Sequence, residues 1–375
     1  MNFKKLLEDN FNYLHNMRVP EYTLYKKWTD LNTDKNLKWY NKNQKQISYI
    51  KDNIWKPKEL NDYKNLNLVV IPCDNPTLLL NWRILRVLTH SAVWKSSPGR
   101  MARFIVAHKE INNDLFGFGF KEPELKYLGV ISMGSDFIGI GGRDKYIGWT
   151  TDDKLKRGML KHTAMGSSIS PTQPLGYNYL GGKLISLMVC SDIVENTWNS
   201  KYKEKLVGIT TTSLYGGYSQ YTRLNYWRKC KTSEGKINLE PTEDVYEKLK
   251  IWFKEKYPEI YTKSQKGSHP KPRLLGLIYK ELGVRPPINN APRGVYWCSL
   301  YDNTNNFLNR TDEELGKKKF DNKVNILTDL WKEKYAKKRI EKMKDNFKPE
   351  ILFYDKLIDN TWEDVKKHYL KDIGR

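Results

Sequence analysis

Cysteine is scarce in this chain, and acids are outnumbered. The four cysteines, Cys73, Cys190, Cys230 and Cys298, lie far apart and none forms a CxxC pair. That argues against a zinc knuckle and against a disulfide scaffold. Cys190, at the end of an apolar run, reads as a buried small hydrophobe. The six histidines are scattered without HExxH or comparable spacing, so no metal is expected. No run of 18 apolar residues and no signal-peptide pattern occurs, which predicts no membrane span and a cytoplasmic protein. The glycines form neither a P-loop nor a GxGxxG that opens a helix, so no nucleotide fingerprint is present.

Positive charge is what the chain has in excess. Lys and Arg number 65 against 43 Asp and Glu, a formal net charge of +22, and the pI is near 9.5. At 375 residues, 39% hydrophobic and 13% aromatic, the chain can fold around a real core, and its length suggests two or three domains. A balance this basic points to a polyanion, with nucleic acid first and an anionic membrane surface as the competitor.

The stretch from Leu206 to Asn238 is the most informative. An apolar, β-branched run (Leu206 to Thr212) reads as a buried strand. The turn Tyr215-Gly216-Gly217-Tyr218 follows. Aromatics then interleave with Arg223, Trp227, Arg228, Lys229, Lys231 and Lys236, a pattern suited to stacking on bases and contacting phosphates. The alternative is a strand, a glycine turn and a short amphipathic helix with solvated lysines.

Residues 1–62 read as a helical N-terminal segment. Leu66 to Pro72 predicts a strand, and Pro76 opens a helix with an apolar face from Leu78 to Val93. After a turn at Ser96 to Gly99, Arg100 to Val106 and Lys126 to Phe137 predict two more strands. The glycine run before Arg143-Asp144 predicts a loop in which Arg143 clamps an anion and Asp144 orients it or acts as a base; the two pairing with each other is the alternative. Thr151 to Met165 predicts a helix, and Ser167 to Pro174 a connector with Ile169 in a short strand. Gly181, Gly182 and Lys183 open an apolar helix whose free N–H groups and dipole suit an anion; close packing on the sheet is the alternative. A capped helix follows Pro241. Lys263 to Arg273 is the best linker candidate, and Arg293 to Tyr301 predicts a strand. The expected organisation is a helical segment over 1–62, an α/β core over 63–262, its C-terminal part over 263–322 and a helical tail over 323–375.

Several blocks, in order, resemble the DruA family, named for the Druantia antiviral system. They are Pro98 to Val106, Tyr127 to Gly134, Asn178 to Leu187, Thr222 to Trp227, and Arg293 to Tyr301 with Asn303. The most specific is Arg143-Asp144-Lys145-Tyr146-Ile147-Gly148-Trp149. The resemblance runs from about residue 95 to 310. One departure is plain: Thr210-Thr211-Thr212-Ser213-Leu214 stands where the family has Glu-Thr-Phe-Val-Asp, so both acids are missing. A wider similarity links the order strand, glycine-initiated helix, strand, Gly…Tyr…Asn-aromatic to the GNAT acyltransferase fold and to Mom-like phage DNA-modification proteins.

These resemblances imply an α+β (or α/β) fold with a GNAT-like mixed central sheet, flanked by helices, in a prokaryotic cell. They imply an acyl-coenzyme A held by Asn178, Gly181, Gly182 and Lys183, and a catalytic set drawn from Arg143, Asp144, Ser213, Tyr215, Tyr221 and Asn225. The function expected first is a GNAT-like transferase that modifies DNA in phage–host conflict. The second is a non-catalytic DNA- or RNA-binding component of a defence or mobile-element system, with partner proteins. The third is a phosphoryl transferase built on Asp136, Asp144 and Asp192, which needs clustered carboxylates.

Overall fold

The structure is a computed structural model, and it describes residues 1–91, 99–110, 124–214, 216–217, 219–233, 235–266, 270–343, 346–348 and 353–373. It divides into two compact units. One comprises Met1–Asn36, Glu234–Pro292 and Leu357–Arg375, the other Leu37–Ser233 and Arg293–Lys356. The expected turns at Ser96 to Pro98 and at Tyr215 and Tyr218 lie outside the described residues.

The second unit is built on a seven-stranded mixed sheet, and the fold class is α+β. Its strands are β1 (Leu68–Pro72), β2 (Met101–Lys109), β3 (Leu125–Ser135), β4 (Thr163–Pro171), β5 (Gly208–Thr212), β6 (Trp227–Ser233) and β9 (Arg293–Ser299), in the order β1-β2-β3-β4-β5-β9-β6. All neighbours pair antiparallel except β4 and β5, which run parallel through Thr163↔Gly208, Ala164↔Ile209 and Met165↔Thr210.

The central strands read as continuous apolar runs because both faces are covered. Along β2, Phe104 and Val106 belong to one cluster and Ile105 and Ala107 to the other. The helices α4 (Gln44–Asp52) and α5 (Pro76–Leu88) supply the second cluster through Ile47, Ile50, Trp82 and Leu85. Helices α9 (Gly181–Met188), α10 (Asp192–Tyr202) and α15 (Val324–Trp331) supply the first through Leu184, Leu187, Trp198 and Trp331. Asn75 caps α5 by accepting from the Leu78 amide at 2.9 Å, which fits the Asn-Pro start.

Three local expectations are corrected. The glycine run before Arg143 is not a loop but opens a helix, α6 (Gly141–Ile147). Asp144 Oδ2 accepts from the Ile140 amide at 3.2 Å, and Gly148, at φ 79°, ends the helix. Thr151 to Met165 is not one helix. A five-residue helix, α7 (Thr151–Leu155), is closed by a Thr150–Asp153 capping box, Gly158 turns at φ 70°, and β4 has begun by Thr163. Ser167 to Pro171 is therefore full strand, with Ser168 and Ser170 buried.

The first unit is helical, with a short ribbon. Its helices are α1 (Phe3–His15), α2 (Val19–Leu31), α11 (Glu243–Lys256), α12 (Pro258–Ser264), α13 (Pro270–Leu282) and α17 (Trp362–Ile373). The antiparallel strands β7 (Lys236–Asn238) and β8 (Ile288–Asn290) bracket α11 to α13. Phe3 stacks on Trp252 at 5.1 Å, Phe11 meets Tyr279 edge-on at 5.8 Å, and Tyr25 meets Trp362 at 5.0 Å. The expected linker at Lys263 to Arg273 is instead the end of α12 and the start of α13, with residues 267–269 outside the described set. Apolar spacing explains α13, since Leu274, Leu275 and Ile278 are all buried.

Candidate functional site

The predicted site residues fall into three places in the sheet-bearing unit. The first is the end of β3. Arg143 is fully buried, 2.6 Å from Asp136 and 2.7 Å from Asp144. It also donates to the Phe137 carbonyl at 2.7 Å. Asp144 Oδ1 accepts from the Trp149 indole at 2.8 Å, and Oδ2 pairs with Lys154 at 2.8 Å. Asp136 Oδ2 accepts from Thr210 at 2.8 Å. Burial alone would raise the Asp144 carboxyl, but hydrogen bonds from Lys154 and Trp149 and the charge of Arg143 outweigh it and hold it below its usual value. The Arg143–Asp144 pairing is thus the observed one, and it locks α6 onto the end of β3. Lys154 and Asp136 complete the network; Asp136, a candidate for a carboxylate cluster, is instead the buried partner of Arg143.

The second place is where β4 and β5 part. Beyond Met165, β4 has no strand partner on that side among the described residues. Thr211 donates to the Gly166 carbonyl at 2.8 Å, and the Gln220 amide donates to the Ile169 carbonyl at 3.0 Å, so side chains fill the opening. Helix α9 starts here after Leu180, which sits at φ 56°. Lys183 donates its ammonium to the Gln220 and Thr222 carbonyls at 3.0 and 2.6 Å, and burial lowers it to about 8. A Cβ on Gly182 would lie 2.5 Å from Gln220 Oε1, and one on Gly181 would lie 2.6 Å from Leu175 Cγ. Close packing is therefore what both glycines serve here.

Asn178 is fully buried and holds Lys348 through two backbone bonds, at 2.8 and 3.1 Å. Asn225 accepts from Lys334 at 2.6 Å and from Tyr335 at 3.0 Å. Tyr221 is buried beneath this loop, and desolvation pushes its phenol up to about 12. Ser213 donates to the Gly216 carbonyl within its own turn and accepts from the Gly294 amide of β9 at 2.7 Å. Expected ligands thus hold backbone carbonyls, amides and tail residues. Gln220 and Tyr335 are the members that sequence reasoning missed, and no local signal marks either one. An acyl-coenzyme A does not fit this arrangement unless the segment from Ser219 to Tyr226 withdraws, because Gln220 and Lys183 occupy the entrance.

The third place is the outer edge. β6 is a terminal strand and, among the described residues, pairs only with β9. It is a strand where a short helix was the alternative, with a register shift between Lys229 and Lys231. Trp227 points inward at 6% exposure and donates to the Ser186 carbonyl at 3.0 Å, so it is a core residue and not a stacking surface. Arg228, Lys229 and Lys231 are exposed, as is Arg223 on the preceding turn. The Arg228 guanidinium lies over the Tyr146 ring at 4.8 Å, and a Cβ on Gly142 would meet Lys231 Cβ at 3.0 Å. So α6, fixed by Arg143, backs the basic strand.

The family described as Druantia protein DruA matches residues 16–310. The chain belongs to the DruA family. The match begins at residue 16, well before the stretch near 95 where the sequence blocks start, so it takes in the N-terminal helices from α2 onward. A Druantia protein DruA from Escherichia coli (strain UMEA 4076-1) is 29% identical over 152 residues. That alignment covers 37% of this chain and 34% of the relative's length. No solved structure matches the chain significantly. Among the described residues, no helix is long and apolar enough to cross a membrane, and no group of three or more His, Cys, Asp or Glu comes together.

Proposed function

We propose that this DruA-family protein is a DNA-binding component of an antiviral defence system of the Druantia type, working with partner proteins in a prokaryotic cytoplasm. The observation that carries the reading is the exposed edge strand β6. Arg228, Lys229 and Lys231 are exposed together on an edge strand, with Arg223 beside them. No ion pair of Arg228 or Lys231 with a carboxylate occurs among the described residues, so their charge is available to phosphates. Family membership supports the defence context. The test is binding of labelled single- and double-stranded DNA across a salt series. Log affinity falling steeply with log salt is the expected result. Salt-insensitive or absent binding removes the reading.

A second reading, a GNAT-like transferase, is favoured by one observation: an otherwise antiparallel sheet with a single parallel pair, β4–β5, and a glycine-initiated helix leaving β4. In this reading the Ser219 to Tyr226 segment opens before a cofactor enters. Thermal shift with an acyl-coenzyme A tests it. A shift that grows when Gln220→Ala clears the entrance supports it, and no shift in either protein counts against it.

A further inference from the structure

The helices bracketed by β7 and β8 carry a surface that the β6 reading leaves unused. Helices α11, α12 and α13 follow in sequence, with only Tyr257 between the first two. Inward, α13 buries Leu274, Leu275 and Ile278, and Lys271 is tied to Glu243 at 2.7 Å. Outward, Pro272, Arg273, Gly276 and Lys280 are exposed.

Gly276 is the anomaly. It sits mid-helix, where glycine is among the poorest formers. A Cβ added there would meet nothing within 4 Å, and no positive φ requires glycine. Nothing among the described residues of the unit asks for it, which fits a body outside the chain whose surface approaches the helix backbone closely. Arg273 lies three residues before Gly276 and Lys280 four after, which places all three on one face.

Lys263 and Lys266, at the end of α12, are exposed as well. The acid next to Lys280, Glu281, is occupied by Lys256 at 2.9 Å and Tyr257 at 2.6 Å. The approaching body is therefore anionic. A helix with its side chains is about 10–12 Å across and the major groove of duplex DNA about 12 Å wide, so a helix thinned at its midpoint seats deeper there.

We propose that α13 is a duplex-DNA contact helix, seated at Gly276 and flanked by phosphate contacts from Arg273 and Lys280. It deepens the nucleic-acid reading but uses residues remote in sequence from β6.

The experiment measures affinity of the full-length chain for labelled duplex DNA over a salt series. The double variant Arg273→Glu with Lys280→Glu is expected to lose at least about tenfold in affinity and to lower the salt slope by about 1.8, from 0.9 per phosphate contact. Gly276→Leu is expected to weaken duplex binding by a similar factor while the melting temperature holds or rises. That opposition separates a contact surface from a folding role. Duplex binding that is unchanged in both variants, yet lost when Arg228 and Lys229 are reversed, overturns the proposal and leaves the β6 reading standing. Wild-type protein that binds no duplex overturns it too.

Discussion

Two sets of cations lie back to back on α6 and β6, and they differ in one respect. Arg143 is enclosed by Asp136 and Asp144, with Lys154 completing the network. Arg228, Lys229 and Lys231, on the strand that α6 supports, face solvent. The block that most resembles the family is the buried set. A motif of high specificity here reports how a helix is held, while the exposed basic residues sit in a stretch of ordinary lysine-rich appearance. Removing a cation from each set should therefore break different properties.

The largest effect is expected at the buried set. Arg143→Met removes the one cation between two carboxylates, leaving uncompensated charge in the core. It should destabilise the protein by about 3–5 kcal/mol in chemical denaturation. If Arg143 were instead a catalytic clamp, the variant would keep its stability and lose only function. Next comes the exposed set. Reversing Arg228, Lys229 and Lys231 together should cost about a hundredfold or more in DNA affinity and flatten the salt slope by about 2.7. Stability should move by no more than about 0.5 kcal/mol, as for ordinary surface changes. A variant that unfolds would erase the contrast between the two sets. A smaller effect is expected at their junction: Tyr146→Ala removes the ring beneath Arg228 and should weaken DNA binding about two- to fivefold, the size of one exposed cation–π contact. Unchanged affinity would show that Arg228 needs no platform.

The strands β1, β2, β3, β5 and β9 were legible because each carries apolar, β-branched residues for two covered faces. β4 was not, because Gly166, Ser168 and Ser170 are buried within it and make it look like a connector. Helix α6 was hidden by its two opening glycines, of which Gly142 admits Lys231 at close range. Of the candidate site, the basic residues of β6 could be read from the sequence, though Trp227 could not be assigned to the core without knowing its strand phase. The ties from Asn178 to Lys348 and from Asn225 to Tyr335 span over a hundred residues, and no local spacing predicts them. The same holds for the junction of α12 and α13. A run of Lys, Ser, Gly and Pro signals a linker, but here it joins two helices whose apolar spacing begins just beyond it.

The smallest effect concerns the entrance beside α9, and it sharpens the contrast from the other side. Lys183 is a third kind of cation, half-buried and facing carbonyls, not acids or solvent. Burial lowers it from the usual lysine value of 10.5 to about 8. Between those values the unfolded chain holds a proton that the folded protein has released, so stability rises with pH across that window. Below about 8 both states are protonated, and the folded state carries the cost of a desolvated ammonium. The wild-type protein compared with Lys183→Met should gain relative stability as pH rises from about 8 and level off near 10.5, in denaturation curves measured at each pH. A flat difference would mean that the carbonyls of Gln220 and Thr222 solvate the ammonium as well as water does. The entrance would then be a stable cation seat and not a closed door poised to open.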